Sequence, residues 1–344
     1  MIAASGLASG RSAASELAAL AVERAMDKAG LKQAGQVLLL LNHEMAPLAS
    51  EAVRAASSAA SCIAVSGMCS GGLFTEEGWI LDQPAAAAMV FSAEPASATA
   101  THTPSTAIGF VGATKLPETW QAGHPRVGLL DEGACTWQHS RLPRDKHPAE
   151  MFIPGVEMTI AQSPGLRILN TAQAVEAANT NYLLRIGGTS ARDNLVRSLP
   201  PEWRLAPPLH LIQAIRNGEN APIAILGADQ HDGSLLLADK IRDGDKIAWA
   251  IRQPLASEME MRECLQNAKL ACPNPSFALM FSSLARSPLF YGGQDRDLMV
   301  FRETYPHTPL LGAYGSGQIT PISQQNRVLR QTVLTLLFKE KDAI

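Results

Sequence analysis

Gly67-Met68-Cys69-Ser70-Gly71 sets a thiol between two glycines, in the G-x-C-x-G spacing of a nucleophile elbow. In such an elbow a strand runs into a strained turn and a helix leads away, so the thiol sits at a helix N-terminus with a depressed pKa. An apolar run precedes this motif, but the residues after it read as strands, and spacing marks no histidine or acidic partner. The same glycines suit a tight turn that brings bare backbone close to a ligand or to a neighbouring strand. Ser66, Cys69 and Ser70 would then place polar groups beside that backbone. Both readings stand at this level.

A second glycine-rich stretch, Gly312-Ala313-Tyr314-Gly315-Ser316-Gly317-Gln318, lacks the Gly-Lys-Ser/Thr ending of a phosphate loop, and no clear helix follows it. Its backbone N–H groups suit a carboxylate better. Ser282, Ser283 and Arg286 close an apolar run upstream, and an arginine at the end of a buried strand is placed to pair with a carboxylate. Surface charge is the competing reading for Arg286. Arg296 and Arg302 fall on a solvated helix face. His124, His139 and His147 have spacings that match no familiar metal site, so neither a metal nor another cofactor is expected.

The elements that must hold these residues follow one pattern written twice. An apolar run at 37–41, a helical stretch, a run at 63–65 entering the first glycines and a strand at 86–91 make the first copy. The second has runs at 277–281, 309–311 and 332–338. Gly67 follows Asn42 by 25 positions and Gly312 follows Ser283 by 29. Strand, helix, strand is the order a parallel crossover requires.

Periodicity predicts helices over 12–29 with Gly30 as a left-handed cap, over 46–60 with Pro47 in its first turn, over 190–199 and over 258–271. Leu298 and Phe301 mark another, closed by Pro306. Strands are expected at 62–65, 127–130, 166–169, 182–186 and 247–251, with 79–81 and 86–91 paired about the turn at 82–84. A hairpin is expected around Asp232-Gly233. The segment 92–106 reads as a loop, and 131–154 as irregular. The fold class is α/β, with mixed β-sheets flanked by helices in two domains that contain a pseudo-repeated strand–helix–strand–glycine turn–strand unit.

Composition narrows the function classes. With 344 residues the chain exceeds what one core usually serves, and 46% hydrophobic against 18% charged residues describes a folded chain. A net charge of −3 offers no footprint for nucleic acid or an anionic membrane. No apolar run approaches the roughly 20 residues that span a bilayer. The start, Met1-Ile2-Ala3-Ala4-Ser5-Gly6, lacks the basic-then-apolar order of a secretory leader. Five cysteines without a CxxC pair read as reduced thiols, and the expected location is the cytoplasm.

The segments 277–286, 297–302 and 309–319 resemble the C-terminal part of the FIST (F-box and intracellular signal transduction) family. The stretch 5–10, the run 37–41 and the segment 65–72 resemble its N-terminal domain, and 223–251 resembles the hairpin region that opens the C-terminal one. The resemblance implies a FIST N-like domain over 1–165 and a FIST C-like domain over 166–344. It also implies a sensory module that binds a small ligand, such as an amino acid or a carboxylate-bearing metabolite, and signals through a protein partner. The family often has Cys at Ser283, Gly at Ser287 and Glu at Gln318. Those departures exclude a thiol function at Ser283 and shift the pocket toward a more neutral or more acidic ligand.

The paired glycine turns and the polar groups beside them give the expected ligand set: Ser66, Gly67, Cys69, Ser70, Gly71, Ser282, Ser283, Arg286, Gly312, Tyr314, Gly315, Ser316, Gly317 and Gln318, with Tyr314 packing over an apolar part of the ligand. The expected protein is cytoplasmic and non-catalytic, with no nucleic-acid or membrane partner. The alternatives are a thiol acyltransferase or hydrolase using Cys69, and a purely structural interaction module.

Overall fold

The structure, a computed structural model, describes residues 1–92, 106–143, 147–216, 222–322 and 324–341. The segment 93–105, most of the expected loop, lies outside the described residues. Strands β1 (Ala3–Ser9), β2 (Gln36–Asn42), β3 (Val65–Ser70), β4 (Gly72–Thr75), β5 (Gly78–Ile80), β6 (Ala85–Phe91), β7 (Ala107–Val111), β8 (Arg126–Leu130), β9 (Thr136–Trp137), β10 (Ala149–Met151) and β11 (Val156–Ser163) lead the chain. Helices α1 (Glu16–Ala29), α2 (Ala49–Ala60) and α3 (Glu118–Gln121) interrupt them. Then come β12 (Leu166–Ile168), β13 (Gln173–Asn179), β14 (Tyr182–Ile186), β15 (Thr189–Ser190), α4 (Ala191–Ser198), β16 (Ile212–Arg216), β17 (Pro222–Ala228), β18 (Leu235–Leu237) and β19 (Lys246–Arg252). The last stretch holds α5 (Pro254–Ala271), β20 (Phe277–Ser283), α6 (Arg296–Thr304), β21 (Leu310–Gly315), β22 (Gly317–Ile322), β23 (Gln325–Leu329) and β24 (Val333–Glu340). The fold is mixed α/β.

Two compact units result: Met1–Gln162 with Arg262–Ile344, and Ser163–Met261.

Among the described residues the first unit holds three sheets, ordered β1-β6-β2-β3-β9, β11-β24-β20-β21-β4-β5 and β10-β7-β8-β22-β23. In the first sheet β2 lies parallel to β3 and antiparallel to β6; in the second, β20 lies parallel to β21 and antiparallel to β24. Each parallel pair follows from its crossover helix, and every residue of β2 and β20 is buried, as their continuous apolar runs require. Phe91 meets Phe277 edge-on at 5.1 Å and Phe110 meets Phe281 at 6.1 Å within that core. The alanine run of β6 is fully buried, and α1, with Ala18, Ala21 and Ala25 buried, packs against β1 and β6. Small side chains there let helix and sheet approach closely, which offsets the weak strand propensity of alanine.

In the second unit β13, β14, β18, β17, β16 and β19 pair in sequence, and β19 pairs back with β13, so the ladder closes on itself. Closure removes exposed strand edges. Period-two pairs fill its core: Ile212 and Ala214, Ile223 and Ile225, Leu235 and Leu237, Ile247 and Trp249. Ser190 caps α4 by accepting the Asp193 N–H at 3.2 Å.

Several expectations are corrected. The two glycine turns are strands that change sheets: β3 passes through Gly71 into β4, which joins the second sheet, and β21 passes through Ser316 into β22, which joins the third. The strand expected at 62–65 begins only at Val65. Strand β5 pairs with β4 rather than with β6, which instead pairs with β1 and β2. Pro47 lies inside a 3-10 turn, His43–Leu48, so α2 starts only at Ala49. Short strands β9 and β10 run through the segment read as irregular.

Candidate functional site

Both glycine segments are held at the C-terminal ends of parallel strands, the edge where open α/β sheets bind ligands. Gly67 pairs with Leu39, and a Cβ there would lie 1.7 Å from the Leu39 carbonyl oxygen. Gly312 pairs with Met280, and its Cβ would fall 2.0 Å from the Phe74 ring and 2.5 Å from the Met280 carbonyl oxygen. Close strand approach is therefore what these two glycines serve. The two segments also meet: Gly72 pairs with Tyr314, and the Gly71 N–H donates to the Tyr314 carbonyl at 2.9 Å.

The end of β20 is polar and almost wholly buried. Gln318 donates through Nε2 to the Ser282 carbonyl at 3.0 Å, while Gln318 Oε1 and Ser282 Oγ have no hydrogen-bond partner among the described residues. Gln318 is 0% exposed and Ser282 2%. Ser283 Oγ accepts the Ala285 N–H at 3.2 Å. Arg286 is buried; Nε donates to Asp297 Oδ2 at 3.1 Å and Nη2 to Oδ1 at 2.5 Å. Tyr291 completes the cluster, its hydroxyl 3.0 Å from both carboxylate oxygens of Asp297 and accepting from Arg286 at 3.2 Å. Arg286 thus does pair with a carboxylate, one supplied by α6.

Tyr314 stacks obliquely on Phe74, with centroids 4.8 Å apart, and donates its phenol proton to Asp295 Oδ2. Asp295 Oδ1 caps α6 by accepting the Leu298 N–H at 2.9 Å. Burial, and then the neighbouring Asp297 charge, push the Asp295 carboxyl up to about 6. Burial also raises the Tyr314 and Tyr291 phenols.

Across the corner, the Ser316 N–H points to the Leu130 carbonyl at 3.1 Å and to Asp131 Oδ1 at 3.2 Å. Ser316 Oγ donates to the same carbonyl at 3.2 Å and accepts the Glu132 N–H at 3.2 Å. Asp131 holds His43 at 2.9 Å, and that hydrogen bond raises the His43 imidazole. Gly317 pairs with Leu130, and Gly315 with Ser283. Ser66 Oγ accepts the His139 N–H at 3.4 Å, and Ser70 Oγ donates to the Gly72 carbonyl at 3.2 Å.

Cys69 is 0% exposed, and its Sγ lies 2.9 Å from Cys135 Sγ. That contact, and then burial, raise the Cys69 thiol, whereas accepting the Cys69 proton lowers Cys135 to about 7. His43, Asp131, Cys135, Tyr291, Asp295 and Asp297 are the residues that sequence reasoning missed. Asp295 had a usable signal, an Asp opening a helical pattern. Cys135 had none, since its partner lies 66 residues away. Among the described residues no group of three or more His, Cys, Asp or Glu is arranged to hold a metal.

The scaffold is mixed α/β, and its polar groups gather where parallel strands end, the edge at which open α/β sheets bind ligands. Residues 181–321 match the model of the FIST C domain, and over that stretch the chain is similar to that family. FIST domains are sensory modules of signal-transduction proteins. The chain is also 24% identical over 241 residues to an uncharacterized protein of Mycobacterium bovis, covering 64% of this chain and 62% of the relative. It is 22% identical over 230 residues to an uncharacterized protein of Mycobacterium tuberculosis, covering 62% of this chain and 60% of that one. The chain therefore spans about three fifths of the length of these relatives. No helix among the described residues is long and apolar enough to cross a membrane.

Proposed function

We propose that the chain is a cytoplasmic small-ligand sensor, non-catalytic, that binds an amino acid or a related carboxylate-bearing metabolite and passes the signal to a protein partner. The observation that carries this reading is a pair of buried groups without a partner among the described residues, Ser282 Oγ and Gln318 Oε1. A buried polar group left unmade costs about 1–3 kcal/mol, so the protein gains when a ligand completes it. A ligand ammonium suits the acceptor Gln318 Oε1, and a carboxylate suits the Ser282 hydroxyl. Ser283 and the backbone of 312–317 are further contacts in this reading, and Arg286 positions the cluster through Asp297. Ser66, Gly67, Cys69, Ser70 and Gly71 form the adjoining edge, with an N-terminal FIST-type half over 1–165. Cys69 as a catalytic nucleophile has no supporting observation, because it is buried and its thiol is raised.

A melting screen of the amino acids and small organic acids tests the proposal. At least one compound is expected to raise Tm in proportion to ln(1 + [L]/Kd), and Gln318→Met to lose that response while still melting cooperatively. No shift for any compound at millimolar concentration would overturn it.

A further inference from the structure

The antiparallel register that pairs Gly67 with Trp137 and Met68 with Thr136 brings Cys69 opposite Cys135 at its next step, and the Cys69 N–H donates to the Cys135 carbonyl at 2.9 Å. Residues facing each other across a hydrogen-bonded antiparallel pair have Cα atoms about 5.5 Å apart, inside the roughly 4.4–6.8 Å range a disulfide bridges. The sulfurs, 2.9 Å apart, need under about 1 Å of travel to reach bond length. Both cysteines are free thiols.

The two thiols are not equivalent. Cys69 is sealed in the core, while Cys135 is partly exposed. Cys135 lies within the field of His43, which Asp131 holds at 2.9 Å and keeps protonated to higher pH. Hydrogen bonding from Cys69 and the His43 charge both favour a thiolate at Cys135, whereas Cys69 retains its proton. An accessible thiolate backed by a buried thiol is the arrangement of a peroxide-sensing pair.

We propose that Cys69 and Cys135 form a redox-active dithiol that a small hydroperoxide oxidises reversibly to a disulfide. The Cys135 thiolate attacks the peroxide: an S–O bond forms, the O–O bond breaks, and the leaving hydroxide or alkoxide takes up a proton. Cys69 sulfur then attacks the sulfenic sulfur of Cys135; the S–S bond forms, the S–O bond breaks, and the departing hydroxide takes the Cys69 proton as water. Two thiols and one hydrogen peroxide give one disulfide and two waters. The disulfide would tie β3 to the segment that enters β9, beside the corner where the two glycine segments meet.

Hydrogen peroxide applied to the full-length protein tests this, with thiol counting and non-reducing peptide mapping as readouts. The five thiols should fall to three, with one crosslink joining the Cys69 and Cys135 peptides and both thiols restored by a dithiol reductant. Cys69→Ser should stop at a sulfenic acid on Cys135 that dimedone traps, and Cys135→Ser should oxidise at least tenfold more slowly. Retention of all five thiols, or a crosslink to Cys62, Cys264 or Cys272, would overturn the proposal. The map of the unmodified protein decides the matter even if a variant fails to fold.

Discussion

Asp295 caps α6 and Asp297 lies in its first turn, yet the interior treats the two carboxylates differently. Asp297 receives the two-pronged Arg286 guanidinium, while Asp295 receives a phenol and a backbone N–H. Removing one partner of a buried ion pair strands the other charge, so Arg286→Met should destabilise the protein by about 3–5 kcal/mol in denaturant titration. Asp295 carries a folded pKa of about 6, above its unfolded value of 3.8. Its stabilising contribution is therefore complete below about pH 4 and is lost as pH rises through about 6, at most ~3 kcal/mol. Asp295→Asn has nothing to titrate, so its stability relative to the parent protein should rise between pH 4 and pH 7. A difference that stays flat across that window would refute the assignment. Much of this cluster was hidden from the sequence, because Arg286, Tyr291, Asp297 and Tyr314 are joined by contacts that no spacing encodes.

At the scale of elements, Gly67 and Gly312 were legible as positions where backbone must come close, but their setting was not. Alternating small and apolar residues around a glycine suit a turn or a crowded strand equally, and only the partner strands β2 and β20 distinguish the two. Gly67→Ala should cost more than about 3 kcal/mol or prevent folding, since its Cβ would meet the Leu39 carbonyl rather than a movable side chain. Ser190→Ala removes one cap hydrogen bond and should cost only about 1 kcal/mol, with the fold retained. Continuous apolar runs and helix periodicity located β2, β20, α1 and α4 well, because burial on both faces and 3.6-residue repeats are written locally. Strands β1, β7, β13 and β16 carry no such mark, and β1 and β16 find partners in β6 and β19, well separated from them in the chain.

At the scale of the whole molecule, residues 163–261 hold their own closed ladder and core. Expressed alone, that segment should melt cooperatively with a β-rich circular dichroism spectrum; a non-cooperative melt would show that its core does not suffice. A ligand that completes Ser282 and Gln318 should raise the Tm of the intact chain.

The sequence by itself determined that this is a mixed α/β chain, placed its main strands and helices, and pointed to a resemblance to the FIST family, whose C domain model residues 181–321 match. Each of those rests on local pattern. The tertiary structure alone decided that the glycine segments are strands crossing between sheets, that Arg286 is engaged by Asp297, and that Cys69 faces Cys135. Those outcomes depend on which strands become neighbours, and hydrogen-bonded register between segments tens to hundreds of residues apart is set by burial of the whole core rather than by any one motif.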